Sequence, residues 1–158
     1  MSASFPLASG TETTAADSDD AAQGSPAALR ILSVEDNPFG RVVLNAILNE
    51  LGHQTEFVGL GEIANERLAQ GGFDVVLMDM VLPGINGVEA IRRIRAEPAP
   101  HGEIAIVGLS GRDEDEKAAL AAGADAFILK PVSPRTLAQV LAEVVRAHSH
   151  AAGAVLSS

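Results

Sequence analysis

The chain has 158 residues, no Cys, Trp or Tyr, and a formal charge of -10. The missing Cys excludes a disulfide framework, thiolate zinc sites and a cysteine nucleophile, and acidity without a basic stripe speaks against binding a nucleic-acid backbone. No apolar run approaches the roughly 20 residues that span a bilayer and no signal-peptide pattern opens the chain, so a cytoplasmic protein with neither nucleic-acid nor membrane partners is expected.

Hydrophobic residues make up 47% of the chain and aromatics only 3%, so one domain whose core is built from Val, Leu, Ile and Ala is expected. Residues 1–28 are rich in Ala, Ser, Thr, Asp and Gly without periodicity and read as a disordered extension. Leu29 to Val34 is a short apolar strand that runs into Glu35-Asp36-Asn37. Pro38 suits the first turn of a helix capped by Asp36 or Asn37, running to about Leu51 with Phe39, Val42, Val43, Ala46, Ile47 and Leu51 inward. His53 to Val58 is a more polar strand and is predicted at the sheet edge. Glu62 to Gln70 is a second helix with Ile63 and Leu68 inward.

Phe73 to Gly87 carries the run Val75-Val76-Leu77-Met78, which delivers Asp79 at its end before Pro83 and Gly84. An apolar run of this length between turn signals predicts a strand buried on both faces. A third helix follows over Val88 to Arg95. Ile104 to Leu109 is a fourth buried strand ending at Ser110-Gly111, and Asp113 to Ala122 is a helix whose early acids suit the positive end of its dipole. Ala126 to Leu129 is the fifth strand and leads into Lys130-Pro131. Ser133 caps a last helix from Pro134 to about His148, and residues 149–158 are expected to be a flexible tail.

Strands alternating with helices at this spacing predict an α/β fold with a parallel sheet covered on both faces, over about residues 29–148. In such a sheet all carboxyl ends share one edge, where open α/β folds gather functional groups. The first strand sends Glu35 and Asp36 there, the third Asp79, the fourth Ser110 and the fifth Lys130. Taken singly, Glu35 and Asp36 read equally as helix caps, and Asp79, Ser110 and Lys130 read better as a cap, a loop hydroxyl and a surface lysine. Those readings would all have to hold together at four strand ends. Three converging acids repel one another unless a cation joins them, and an oxygen-only set suits Mg²⁺. Lys130 and Ser110 could then meet a phosphoryl group, with a carboxylate as nucleophile forming an acyl phosphate.

With VEDN at Val34 to Asn37, LMDMVLPGING at Leu77 to Gly87, LSG at Leu109 to Gly111 and GADAFILKP at Gly123 to Pro131, in this order, the chain resembles the receiver domain of bacterial two-component response regulators. The resemblance covers about residues 29–147. It implies a doubly wound, flavodoxin-like sheet of five parallel strands with five helices, in strand order 2-1-3-4-5. By position it implies that Asp79 is the phosphoacceptor, served by a phosphohistidine on a histidine kinase or histidine phosphotransferase. Glu35 and Asp36 match the acidic pair that holds Mg²⁺ with Asp79, and the Val81 carbonyl matches the main-chain ligand. Ser110 and Phe127 match the switch positions, Lys130 the phosphate-pairing lysine, and Pro131 the proline after it. Asn86 stands where the family commonly has Asp, a departure expected to affect the turn. Val81 and Arg112 occupy positions that tune phosphoryl lifetime.

The expected function is a phosphorelay switch, not an enzyme, with output through contact with a downstream protein. Dimerisation on activation stays open. The tail and Met1 favour a free-standing receiver over one excised from a hybrid kinase. Two alternatives remain: a Mg²⁺-dependent phosphohydrolase with an Asp nucleophile, against which Val81 stands in place of a second acid, and a receiver-like binding module that works without phosphorylation. A nucleotide-binding Rossmann domain is weaker, since Glu35 to Gly40 lacks a glycine-rich phosphate loop.

Overall fold

The structure is a computed structural model that describes residues 28–157, with side chains described as far as His148. In chain order its elements are β1 (Arg30–Val34), α1 (Pro38–Glu50), β2 (Gln54–Val58), α2 (Gly61–Ala69), β3 (Val75–Asp79), α3 (Gly87–Arg95), a 3₁₀ turn (His101–Glu103), β4 (Ala105–Ser110), α4 (Asp115–Ala122), β5 (Ala126–Leu129) and α5 (Pro134–Ser157). The five strands are parallel and lie in the order β2-β1-β3-β4-β5. The polar second strand is at the edge, as its composition predicts.

Buried strands make two cores, one on each face of the sheet. Leu32, Val34, Val76, Met78 and Ile106 pack with α2, α3 and α4. Their alternating neighbours Ile31, Val75, Leu77, Val107 and Leu109 pack with α1 and α5. The period of two along strands that are apolar on both sides is what an unbroken hydrophobic run encodes.

Local signals set the helix ends. Asn37, rather than Asp36, caps α1: its Oδ1 accepts the Phe39 and Gly40 N–H groups at 2.8 and 3.3 Å. Asn86 Oδ1 accepts the Glu89 N–H at 3.0 Å and so caps α3. Ser133 Oγ does the same for α5 through the Thr136 N–H at 3.1 Å.

Three expectations are corrected. α1 buries Leu44, Ile47 and Leu48, while Phe39, Val42, Val43 and Ala46 face outward. The helix carries two apolar stripes, and on the inward side Gly40 leaves room for the Glu35 carboxyl, whose carbon a Cβ there would meet at 2.9 Å. In α2, Gly61, Ala64 and Leu68 are buried and Ile63 is exposed, because Gly61 sits against Ala90 and Ile85 and rotates Ile63 outward. Finally, α5 runs past His148 to Ser157: the segment is rich in Ala and has no Pro to stop it. The extension expected over residues 1–28 lies outside the described residues except for Ala28.

Candidate functional site

Strand register brings the acids together. Val34 pairs with Met78 across β1 and β3, so the next residues, Glu35 and Asp79, leave the sheet side by side. Asp79 pairs with Leu109 and Ser110 with Leu129, which carries Lys130 to the same edge. The Lys130 N–H then donates to the Ser110 carbonyl at 2.7 Å.

Lys130 Nζ joins the two buried carboxylates, donating to Glu35 Oε1 at 3.1 Å and to Asp79 Oδ2 at 3.2 Å. Glu35 is 2% exposed and Asp79 5%. The second Asp79 oxygen accepts the Val81 N–H at 3.0 Å. Glu35 Oε2 accepts the Asn37 N–H at 3.2 Å, and its main-chain carbonyl accepts Arg41 Nε at 2.6 Å. Burial raises the Glu35 carboxyl above its usual range and the Asp79 charge adds to this, while Lys130 works the other way. For Lys130, burial disfavours the ammonium, but the charges and hydrogen bonds of Asp79 and Glu35 outweigh it and leave its pKa raised. The lysine is therefore charged at neutral pH.

Oxygens of Glu35, Asp36 and Asp79 lie within 4.8 Å of one another. Asp36 is exposed, so the trio opens to solvent on one side. An all-oxygen set of three carboxylates this close together fits a hard divalent cation. The site sits in a cleft of about 830 Å³, whose apolar wall includes Phe39, Val43, Leu82 and Pro83. Val81 rims it at 58% exposure, and Phe39 at 76%.

Four of the expected side chains, Glu35, Asp36, Asp79 and Lys130, thus meet. The Ser110 hydroxyl does not join them. It donates to Asp115 Oδ2 at 2.5 Å and accepts the Arg112 N–H at 3.1 Å. Phe127 is half-buried and packs on the α2, α3 and α4 side of the sheet. It shares with Met80 and Ala119 the space left by Gly108. The Lys130–Pro131 peptide is cis. Two contributors escape the sequence reading. Arg41 holds the Glu35 carbonyl from six residues away, which no local pattern announces. Asp115 is one of four neighbouring acidic residues, Asp113 to Glu116, and nothing in the sequence separates it from the rest.

The family model for the response regulator receiver domain matches residues 31–142. The chain belongs to that family. As a receiver domain of two-component signalling it is 35% identical over 121 residues to the sensor protein GacS of Pseudomonas syringae pv. syringae, a match over 74% of this chain and 13% of that protein. It is 33% identical over 129 residues to the transcriptional regulatory protein AruR of Pseudomonas aeruginosa, over 77% of this chain and 51% of the relative. The chain therefore spans about half of one of these relatives and about an eighth of the other. Among solved structures, the receiver domain of a sensor histidine kinase from Pseudomonas aeruginosa superposes with a TM-score of 0.68 and 32% identity, over 75% of this chain and 98% of that one. That structure has a magnesium ion coordinated in its active-site cleft. The chemotaxis protein CheY4 of Vibrio cholerae superposes with a TM-score of 0.67 and 26% identity, over 75% and 99% of the two chains. No described helix of this receiver is long and apolar enough to cross a membrane.

Proposed function

We propose that this receiver accepts a phosphoryl group on Asp79 from a phosphohistidine of a histidine kinase or histidine phosphotransferase, and passes the signal on by protein contact. The observation that carries this reading is the Lys130 ammonium, shared between Glu35 and Asp79 at the bottom of an open cleft. An Asp79 oxygen attacks phosphorus, the N–P bond breaks, and the imidazole nitrogen leaves and takes up a proton from solvent. Lys130 then neutralises the charge added to Asp79. Val81 N–H and Lys130 hold the carboxylate in place beforehand, so little reorganisation is needed.

Glu35, Asp36, Asp79 and the Val81 carbonyl would hold Mg²⁺. Bound there, it would supply charge compensation for the phosphoryl oxygens. The exposed apolar groups Phe39, Val43 and Val81 rim the approach to Asp79 and suit a partner that brings its histidine to the cleft. With Val81 two residues past Asp79 there is no second acid for a general-acid role, so the receiver holds its phosphoryl group rather than turning over phosphate monoesters. On phosphorylation Ser110 and Phe127 rearrange and remodel the face of α4, β5 and α5 for a downstream protein.

The test is incubation with Mg²⁺ and acetyl phosphate, followed by mass spectrometry of the intact chain. One phosphoryl group is expected on the native chain and none on Asp79→Asn. No gain by the native chain, or equal gain by the variant, overturns the reading.

A further inference from the structure

The Ser110 hydroxyl is engaged before any phosphoryl group arrives. Its proton goes to Asp115 Oδ2 at 2.5 Å, and its oxygen accepts the Arg112 N–H at 3.1 Å. Asp115, the first residue of α4, is itself gripped by the Arg112 guanidinium, with Nη2 on Oδ1 at 2.9 Å and Nε on Oδ2 at 3.2 Å. Ser110, Arg112 and Asp115 thus close a ring of hydrogen bonds across the β4–α4 turn. Hydrogen bonding to Arg112 is the main reason that the Asp115 carboxyl lies below its usual range, and the Ser110 hydroxyl adds to it. The acceptor is therefore a full carboxylate at neutral pH, and hydroxyl bonds to carboxylates are short and strong.

Two further observations bear on where the hydroxyl stands. Ser110 is 1% exposed, and the cleft around Asp79 is lined by Gly111 but not by Ser110. A serine hydroxyl also has one proton to donate. It cannot serve Asp115 and a phosphoryl oxygen on Asp79 at once. The switch must exchange one anionic acceptor for another, and the Asp115 side chain, 14% exposed, keeps Arg112 as its partner after the exchange.

We propose that Asp115 is a positioning residue that holds the Ser110 hydroxyl away from Asp79, so that the Arg112–Asp115 pair sets how strongly a phosphoryl group must pull before the switch closes. This rests on the reading of Asp79 as the phosphoacceptor. Removing the carboxylate frees the hydroxyl for the phosphoryl oxygen and favours the closed state. Removing Ser110 as well erases that advantage, since no hydroxyl is left to compete for.

The experiment measures the affinity of the full chain for beryllofluoride, a non-covalent phosphoryl mimic, with Mg²⁺ present, by calorimetric titration. Asp115→Ala is expected to bind on the order of tenfold tighter than the native chain, the worth of about one net hydrogen bond. Asp115→Asn keeps the size and one acceptor oxygen but loses the charge, and is expected to fall between the two. In a Ser110→Ala background, Asp115→Ala should bring no tightening. Unchanged or weaker binding by both Asp115 variants overturns the proposal. So does tightening that persists without Ser110, because the released Arg112 would then be reaching the anion directly. Native binding with no effect of Asp115 sinks the positioning role alone. A native chain that binds no beryllofluoride sinks the reading of Asp79 as well.

Discussion

His53 shows how one side chain ties pH to stability in this fold. Its Nδ1 accepts the Leu29 N–H at 3.1 Å at the entrance to β1, which requires the neutral imidazole, and burial lowers its pKa. A histidine with a depressed folded pKa contributes stability that is present above its unfolded value, near 6.5, and is lost as pH falls through the folded one. His53→Ala should leave the Leu29 N–H unpaired and cost about 1–3 kcal/mol at neutral pH. The gap between native and variant should narrow as the medium is acidified below about pH 6.5, where the native chain loses its own advantage. Urea unfolding followed by circular dichroism checks this, as the chain has no Trp or Tyr to report by fluorescence. A constant gap across that range would show that the imidazole does not couple to folding.

At the scale of elements, α3 is pressed against the end of β3. A Cβ on Gly87 would meet the Asp79 carbonyl oxygen and the Met80 Cα, each at 2.6 Å, and these are backbone atoms that cannot swing aside. The Gly87 N–H also donates to the Met80 carbonyl at 3.1 Å. This close approach braces the loop that presents Asp79. Gly87→Ala is expected to destabilise by about 1–3 kcal/mol through overpacking. By contrast Gly111→Ala, where an added Cβ meets nothing within 4 Å, should change stability by less than about 0.5 kcal/mol. Midpoints of chemical denaturation for the two variants decide it, and equal midpoints would mean that the loop yields freely. Register matters at the same scale: a slip of one residue in β3 would turn Val76 and Met78 to the wrong face.

For the whole molecule, a cation bound at the acidic trio would link metal binding to folding. The unfolded chain has no such cluster, so a cation held by Glu35, Asp36 and Asp79 stabilises only the native state. Mg²⁺ at about a hundredfold excess over its Kd is expected to add about 2.7 kcal/mol. The gain should largely vanish in Asp36→Asn, a change at an exposed position with little structural cost of its own. Thermal unfolding with and without Mg²⁺ measures both, and an equal rise in Tm for native chain and variant would remove Asp36 from the metal site.

The sequence by itself determined the parallel sheet and the edge at which its chemistry gathers. Buried parallel strands appear as apolar runs, and the polar residue that ends each run is carried to a shared edge by topology alone. Glu35, Asp79 and Lys130 were legible for that reason. Which stripe of α1 turns inward was not, because Phe39-Val42-Val43 and Leu44-Ile47-Leu48 are both apolar. The choice is made by packing against the sheet, which buries Leu44, Ile47 and Leu48 and exists only in three dimensions. The partner of Ser110 was equally hidden. Four acidic residues in a row offer the same chemistry, and only the geometry of the β4–α4 turn brings Asp115, rather than its neighbours, to the hydroxyl.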